Sequence, residues 1–504
     1  MDDVFLGLDL GTSGCKLIAF DGAGRVLASA ARSYGALSPE PGFLEVDADV
    51  VWQQAEACFA GIRAVELPGG RVRSLAISVM GEAMVPVDRA GNALAPAQLS
   101  ADMRCTAEVA ILEREIGGAA IYARTGQPLS PIYTLPKLMW WRRHRPELLD
   151  RADKLLCLGD FALLRLGLPP MIDESMAART LCFDIGAGAW SEELLAFCGL
   201  RPEHLAPIGR SGDPVGTIPD AVAARLSLPV GVEVVLGGHD QPMGALGAGV
   251  VAPGTAMYSI GTTEALVVSV AAPQPDFGAL NIPCAAHAVP GLFAALAGSQ
   301  SGGRVLGWYR DTMGLPAENG GVPVGVGEML RTLPDEPPNW PLVLPHLLGS
   351  GSVLNDHLSL GAFYGLRMDT SRSDMMLSLL EGITFEQALS LEALEAAGPV
   401  RSLHAIGGGA RSPLWLQMKA DILDRPVIRA AVEDAPCLAG AILGQSHVGG
   451  ASVEALAGGM IREEAIFTPR PERHRLHAQR LAAYRELYAA LKPLSRRAVP
   501  GLSP

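Results

Sequence analysis

A buried strand that runs into glycine, threonine and a second hydroxyl residue occurs twice in this chain. The first is Leu8-Asp9-Leu10-Gly11-Thr12-Ser13 and the second is Tyr258-Ser259-Ile260-Gly261-Thr262-Thr263. An apolar run stopped in this way reads as a strand entering a tight turn, because glycine admits backbone angles that other residues avoid and hydroxyls bond back to the turn. One such turn in each half of the chain hints at a duplicated unit. Length favours the same division. A chain of 504 residues is too long for one ordinary core and is expected to form two domains of roughly 250 residues.

The pattern around these turns is α/β. VFLGLDL (4–10), CKLIAF (15–20) and RVLASA (25–30) read as a three-strand meander, and SLAISV (74–79) as a further buried strand. After Asp47, a helix cap, apolar residues at Val50, Val51, Ala55, Cys58, Phe59 and Ile62 recur at helical spacing. VEVVLGG (232–238) repeats the strand signal, followed by AMYSIGTTEALVVSV (256–270). A long helix is expected over 372–397, capped by Ser371 or Ser373 and ended by Gly398. SLHAIGG (402–408) reads as a strand leading to a helix that starts at Ser412-Pro413. A surface helix over about 470–492 and a loose tail over 493–504 close the chain. Strands, then helix, then strand predict a mixed sheet.

Composition narrows the function. Charged residues are 18% and hydrophobic residues 49%, as in a well-buried enzyme. A net charge of -13 repels polyanions at long range, so nucleic acid is not an expected partner. A nucleotide remains possible, since a local nest of N–H groups can outweigh the global field. Cys15, Cys58, Cys105, Cys157, Cys182, Cys198, Cys284 and Cys437 show no C-x-x-C spacing, which predicts neither zinc site nor redox dithiol and suits a reduced cytoplasmic setting. The opening MDDVFLGLDLG is acidic where a signal peptide is basic, and no apolar run is long enough for a bilayer, so no membrane association is expected.

Four segments carry groups suited to chemistry. Asp9 ends a strand and precedes Gly11-Thr12-Ser13-Gly14 and Lys16, a combination that can hold Mg²⁺ through water and surround phosphate oxygens, or simply form a hairpin turn. Gly261-Thr262-Thr263 offers the same cradle. Gly407-Gly408-Gly409-Ala410 lies between a strand and the helix capped by Ser412, where backbone amides favour anions; a plain tight turn explains it equally. Gly237-Gly238-His239-Asp240-Gln241 places an acid just past a buried strand, as a helix cap, a general base or both. Glu82, Asp102 and Arg104 are further polar groups near strand ends.

Together these segments resemble the FGGY carbohydrate kinase family over nearly the whole chain. Lys137-Leu138-x-Trp140 lies in the region of one family signature. Gly361-Ala362-Phe363-Tyr364-Gly365-Leu366, with Asp374-Met375 and Ser378-Leu379-Leu380-Glu381 after it, resembles the other. Gly407-Gly408-Gly409-Ala410-Arg411-Ser412 with Trp415, Gln417, Met418, Ala420 and Asp421 resembles the adenosine-binding stretch.

The resemblance implies two ribonuclease-H-like domains of the actin-like ATPase fold around a nucleotide cleft, divided as 1–248 and 249–492. It implies ATP and Mg²⁺ as cofactors and a small sugar or polyol as substrate, and family members are often homodimers. Asp240 is implied as the catalytic base, with Asp9 and Asp240 near the metal. Asp9, Gly11, Thr12, Ser13, Lys16, Gly261, Thr262, Gly408, Gly409 and Ser412 are implied at the nucleotide. Gly81, Glu82, Asp102, Asp240 and Gln241 are implied at the sugar. The motifs are most similar to those of xylulokinase-like members, which implies D-xylulose. Two departures bear on that choice. Such members commonly read Ser-Gly-Gln-Met-His-Gly where this chain has Ser78-Val79-Met80-Gly81-Glu82-Ala83. They commonly read Trp-Asn-Asp-Gly-Arg where it has Ser100-Ala101-Asp102-Met103-Arg104. A glutamate at position 82 is found in glycerol-type members, so another ketose, a tetritol or a pentitol is the alternative.

Other classes fit less well. A serine hydrolase elbow needs serine at the centre of Gly298-Ser299-Gln300-Ser301-Gly302, where Gln300 stands. A dehydrogenase lacks the dinucleotide fingerprint after the first strand. A non-catalytic ATP-binding regulator of the same fold would have no need of Asp240.

Overall fold

The computed structural model describes residues 3–63, 71–313, 325–335, 341–431 and 434–498. Among them, the main elements are two sheets of six and seven strands with helices packed on both. In the first sheet, β1 (Asp3–Leu10), β2 (Gly14–Asp21) and β3 (Val26–Ser33) form the expected meander. β4 (Arg71–Val79) joins β1 in parallel, β5 (Pro214–Thr217) is the edge, and β6 (Glu233–His239) lies parallel to β4. The order is β5-β6-β4-β1-β2-β3.

The second sheet repeats the plan. β7 (Thr255–Ile260) and β8 (Glu264–Val270) are antiparallel, and β9 (Cys284–Ala286) and β10 (Phe293–Ser299) extend that side. β11 (Ser402–Ile406) runs parallel to β7, β12 (Val427–Ala430) parallel to β11, and β13 (Glu463–Phe467) closes the edge. Both sheets therefore hold an antiparallel meander whose first strand begins a parallel run. In both, the Gly-Thr turn joins the first two strands at the end where the parallel strands finish. The hint of duplication in the sequence corresponds to one topology used twice.

Helices follow their sequence signals closely. α1 (Ala48–Arg63) is capped by the Asp47 carboxylate, which accepts from the N–H groups of Asp49 and Val50 at 2.9 and 3.2 Å. Its buried face is Val51, Ala55, Cys58, Phe59 and Ile62. Val50, expected on that face, is exposed instead, because adjacent helical residues point about 100° apart and Val51 takes the core position. α2 (Thr134–His144), α3 (Glu174–Arg179) and α4 (Asp240–Gly247) flank the first sheet's cleft end. α5 (Arg372–Leu394) has Ser371 and Asp374 in a reciprocal capping box. α6 (Pro413–Leu423) is capped by Ser412, and α7 (Ala435–Gly449) follows β12. The last helix, α8, runs over Pro471–Ala498, past the expected end at 492, with Pro493 inside it. The tail expected from 493 is helical to 498 because Ser495 is buried and Arg496 reaches to 3.9 Å from Asp356; residues 499–504 lie outside the described residues. Among the described residues, no helix is long and apolar enough to cross a membrane.

α7 belongs to the second half of the chain yet packs on β1 and β4 and against α4. The seam is built from small residues. A Cβ on Gly7 would lie 2.0 Å from the Cys437 carbonyl oxygen, and one on Gly247 would lie 1.8 Å from that of Ala435. Gly440 in turn sits on Gly7 and Ala76. Such backbone approach leaves no room for a side chain. Gly7→Ala is expected to lower the melting temperature by several degrees, whereas Gly22→Ala, whose Cβ would sit 3.5 Å from Gln445 Nε2, is expected to stay within about 1 °C of the parent. Thermal denaturation of the two variants checks the contrast.

Candidate active site

Strand register assembles the first half of the site. Asp9 pairs with Ser78 across β1 and β4, and Ser78 pairs with Gly238 across β4 and β6. Three strand ends thus present Asp9, Ser78 and the His239-Asp240 step side by side. The Ser78 hydroxyl donates to Asp9 Oδ1 at 2.7 Å. A bulge between Val235 and Gly238 turns the end of β6. Gly237 permits this because its Cβ would fall 1.9 Å from the Ile77 carbonyl oxygen. Asp240 then opens α4 with its side chain 32% exposed.

Both carboxylates are shifted upward. Burial raises Asp240 to about 7, and the nearby Asp9 and Glu82 charges push in the same direction. Burial also raises Asp9 to about 6, against the Ser78 bond and with help from Asp434. His239 is held well below its usual value by burial and by Arg179, so its ring is neutral. His239 Nε2 lies 3.2 Å from Asp240 Oδ1 and can donate to it.

Glu82 forms the other wall. It is buried, adopts a left-handed backbone angle of φ 66°, and pairs with the Arg179 guanidinium from α3. A left-handed conformation in a residue with a full side chain stores strain of about 1–3 kcal/mol and gathers at functional sites. Thr134 Oγ1 holds the Glu82 carbonyl at 2.9 Å, and Arg179 lies 4.8 Å over the Tyr133 ring. A Cβ on Gly81 would meet His239 Nε2 at 3.1 Å and Arg179 Nε at 3.2 Å. Gly81, Glu82, Arg179, His239 and Asp240 therefore form one cluster. Gln241 follows on α4, and its side chain works against the upward shift of Asp240.

The nucleotide-type turns are also placed. Thr12 and Ser13 stand exposed at the tip of the β1–β2 hairpin, closed by Gly11 N–H to Gly14 O at 2.9 Å. Thr262 and Thr263 are exposed at the β7–β8 tip, closed by Gly261 N–H to Thr263 O at 3.0 Å. Ser259 and Ile406 are register partners, which sets Gly261 beside the Gly407–Gly409 turn. Gly407 has φ 87°, and Gly408 is open, with nothing within 4 Å of a Cβ there. The Ser412 hydroxyl caps α6 by accepting from Trp415 N–H at 3.3 Å.

Two expected residues are differently engaged. Asp102 is fully buried, and its carboxylate accepts from Arg104 at 2.5–3.0 Å and from Leu44 N–H at 2.6 Å. Arg104, pinned over Phe43 at 3.7 Å and bonded to Glu45, holds it inside. Lys16, implied at the nucleotide, forms a 2.5 Å ion pair with Asp434 at the start of α7. Ser78, Tyr133 and Arg179 were not singled out from the sequence. Ser78 was readable as the strand end beside Asp9, while Arg179 had no local signal. Gly303 was also missed: its N–H donates to Gly261 O at 2.9 Å, and a Cβ on the preceding Gly302 would meet Thr262 O at 2.9 Å, so this step braces the second turn.

An activated carboxylate at a strand end, in a chain that carries one hydroxyl-bearing turn in each of its two large sheets, suits transfer of a phosphoryl group to a small alcohol. The comparisons agree. The sequence profile of the FGGY family of carbohydrate kinases matches through its N-terminal domain at residues 4–247 and through its C-terminal domain at 256–448. The chain belongs to this family, and it is a carbohydrate kinase with the family's two-domain, actin-like fold. It is 29% identical over 501 residues to a xylulose kinase of Staphylococcus epidermidis, with 98% of each chain covered. It is likewise 29% identical to an autoinducer-2 kinase of Klebsiella pneumoniae, covering 96% of this chain and 93% of that one. Its fold superposes on a xyloylose kinase structure from Brucella ovis with a TM-score of 0.88 at 29% identity, covering 97% of this chain and 100% of that one.

The raised pKa of Asp240 has a consequence for stability. Its folded value of about 7 exceeds the ordinary 3.8, so the fold favours the protonated form. The penalty on the folded state grows as pH rises above the ordinary value and is complete above about 7. Asp240→Asn is therefore expected to melt a few degrees above the parent at pH 8, with the gap closing toward pH 4. Differential scanning calorimetry across that range, without nucleotide or metal, checks it.

Proposed function

We propose that the chain transfers the γ-phosphoryl group of ATP to a hydroxyl of D-xylulose, giving D-xylulose 5-phosphate. The observation that carries the reading is Asp240, a carboxylate raised to about 7 at the end of a parallel strand, with His239 Nε2 3.2 Å from its Oδ1 and the Glu82–Arg179 pair beside it. The xylulose kinase relatives support the sugar.

In this reading the sugar lies against Gly81, Glu82, Asp240 and Gln241. Asp240 accepts the proton of the attacking hydroxyl, and a group with its pKa near 7 takes that proton without being mostly protonated at the start. The neutral His239 holds Oδ1 in place, leaving Oδ2 for the substrate. The Gly11–Ser13 and Gly261–Thr262 turns surround the phosphates with N–H and hydroxyl donors. Gly408, Gly409 and Ser412 lie at the nucleoside. A division at residue 248 lets the two halves close on the substrates and exclude water, a competing acceptor.

Mg²⁺ fits this site as a phosphate-bound ion. Among the described residues no group of three or more His, Cys, Asp or Glu side chains is arranged to cage a metal. Mg²⁺ is ordinarily held by one or two carboxylates together with phosphates and water, and Asp9, with Asp240 beyond it, supplies such a pair. Bound there, the ion would neutralise charge on the phosphates. Lys16, balanced by Asp434, adds a fixed dipole at the same edge.

The Glu82–Arg179 pair favours a second reading, in which the acceptor is another ketose or a polyol. Glu82 stands where xylulokinase-like motifs carry histidine, and a buried site built for particular hydroxyls discriminates steeply. ADP release with MgATP across ketoses, aldoses and polyols decides between them. D-Xylulose is expected to give the highest kcat/KM. A tetritol or pentitol exceeding it by about tenfold would instead establish the second reading.

A further inference from the structure

Between the second phosphate-type turn and the helix of the adenosine stretch lies a closed group of buried polar side chains that the mechanism does not use. Glu264 immediately follows Thr263 and begins β8. Lys419 lies on α6, and both side chains are 0% exposed. Lys419 Nζ donates to Glu264 Oε1 and Oε2 at 2.8 and 2.9 Å and to the Tyr258 hydroxyl at 2.6 Å. Tyr258 in turn donates to Glu264 Oε2 at 2.6 Å. The ammonium also sits 4.2 Å from the centre of the Trp415 ring.

Members of this group adjoin both turns. Tyr258 is two residues before Ile260, the last residue of β7, and Glu264 is the register partner of Ile260. A Cβ on Gly409 would meet Ile260 Cγ2 at 2.2 Å and Trp415 Cζ3 at 3.0 Å. The Gly261–Thr263 turn and the Gly407–Gly409 turn are thus keyed to one another through Ile260 and Trp415, with the ion pair behind them. A buried ion pair is a poor source of net stability, since apolar residues of similar size often do as well. What directional, charge-assisted bonds supply is a single geometry.

We propose that Glu264 and Lys419 are positioning residues that fix the spacing between these two turns and thereby set the affinity for the adenine nucleotide, leaving the sugar pocket untouched. The inference rests on the assignment of ATP to this cleft. Its test uses the full chain with Lys419→Met, Glu264→Gln and the double variant. Calorimetric titration with ADP gives nucleotide affinity, thermal denaturation gives stability, and the KM for D-xylulose reports the other pocket.

Each single variant strands a buried charge or an unsatisfied amine and is expected to lose both stability and ADP affinity. The double variant removes both charges, so its melting temperature is expected to return most of the way to the parent value. Its Kd for ADP is expected to stay raised about tenfold, because the turns are no longer keyed, with the sugar KM within about twofold. A double variant that binds ADP as the parent does would overturn the proposal and leave the pair a packing feature. Equal weakening toward ADP and sugar would overturn it too, as general distortion. If the parent binds no adenine nucleotide, the ATP assignment fails, and this inference with it.

Discussion

Two half-buried, partly desolvated carboxylates at neighbouring strand ends are the constraint around which this molecule is arranged. Asp9 and Asp240 each lie well above the ordinary carboxylate range, chiefly through burial. Such groups weaken a fold unless something binds them, and here the surrounding structure holds them in place. Parallel register fixes β1 beside β4 and β4 beside β6, Ser78 bonds to Asp9, and the Gly237–Gly238 bulge aims Asp240 outward. Carboxylates shifted in this way gather at functional sites, and the proposed function draws on both.

The rest of the architecture follows from opposing that point with a second copy of the same supersecondary plan. One β-meander with its Gly-Thr turn is paired with Asp9, and the other with the Gly407–Gly409 turn. α7 links them by crossing from the second half onto the first sheet, where Gly7 and Gly247 let backbone meet backbone. Lys16 and Asp434 bridge β2 to the start of α7 at the edge of the cleft. Fold and chemistry are therefore coupled through a seam of small side chains rather than through bulky packing.

Much of this was legible from residue order. Asp47, Ser371 and Ser412 cap the helices they were expected to cap, because capping is a local interaction. The strands around Asp9, Gly261 and Gly407 were readable from apolar runs ending in glycine. What stayed hidden depends on distant partners. The Asp102 carboxylate is enclosed by Leu44 N–H and by Arg104 stacked on Phe43, an arrangement that only the fold sets. Arg179 is more than ninety positions from Glu82, and Lys419 is farther still from Glu264, so neither pair leaves a mark within a local window. The expected end of the last helix at 492 falls short because α8 continues through Pro493 to Ala498, with Ser495 buried.

The central claim is that Asp240 takes the proton of the sugar hydroxyl during phosphoryl transfer. The most direct measurement is steady-state ADP release by Asp240→Asn at saturating MgATP and D-xylulose, beside its affinity for ADP. The account predicts nucleotide affinity within about threefold of the parent and turnover reduced by roughly 10²–10⁴. Turnover close to that of the parent would contradict it, and the base would have to be sought elsewhere in the cleft.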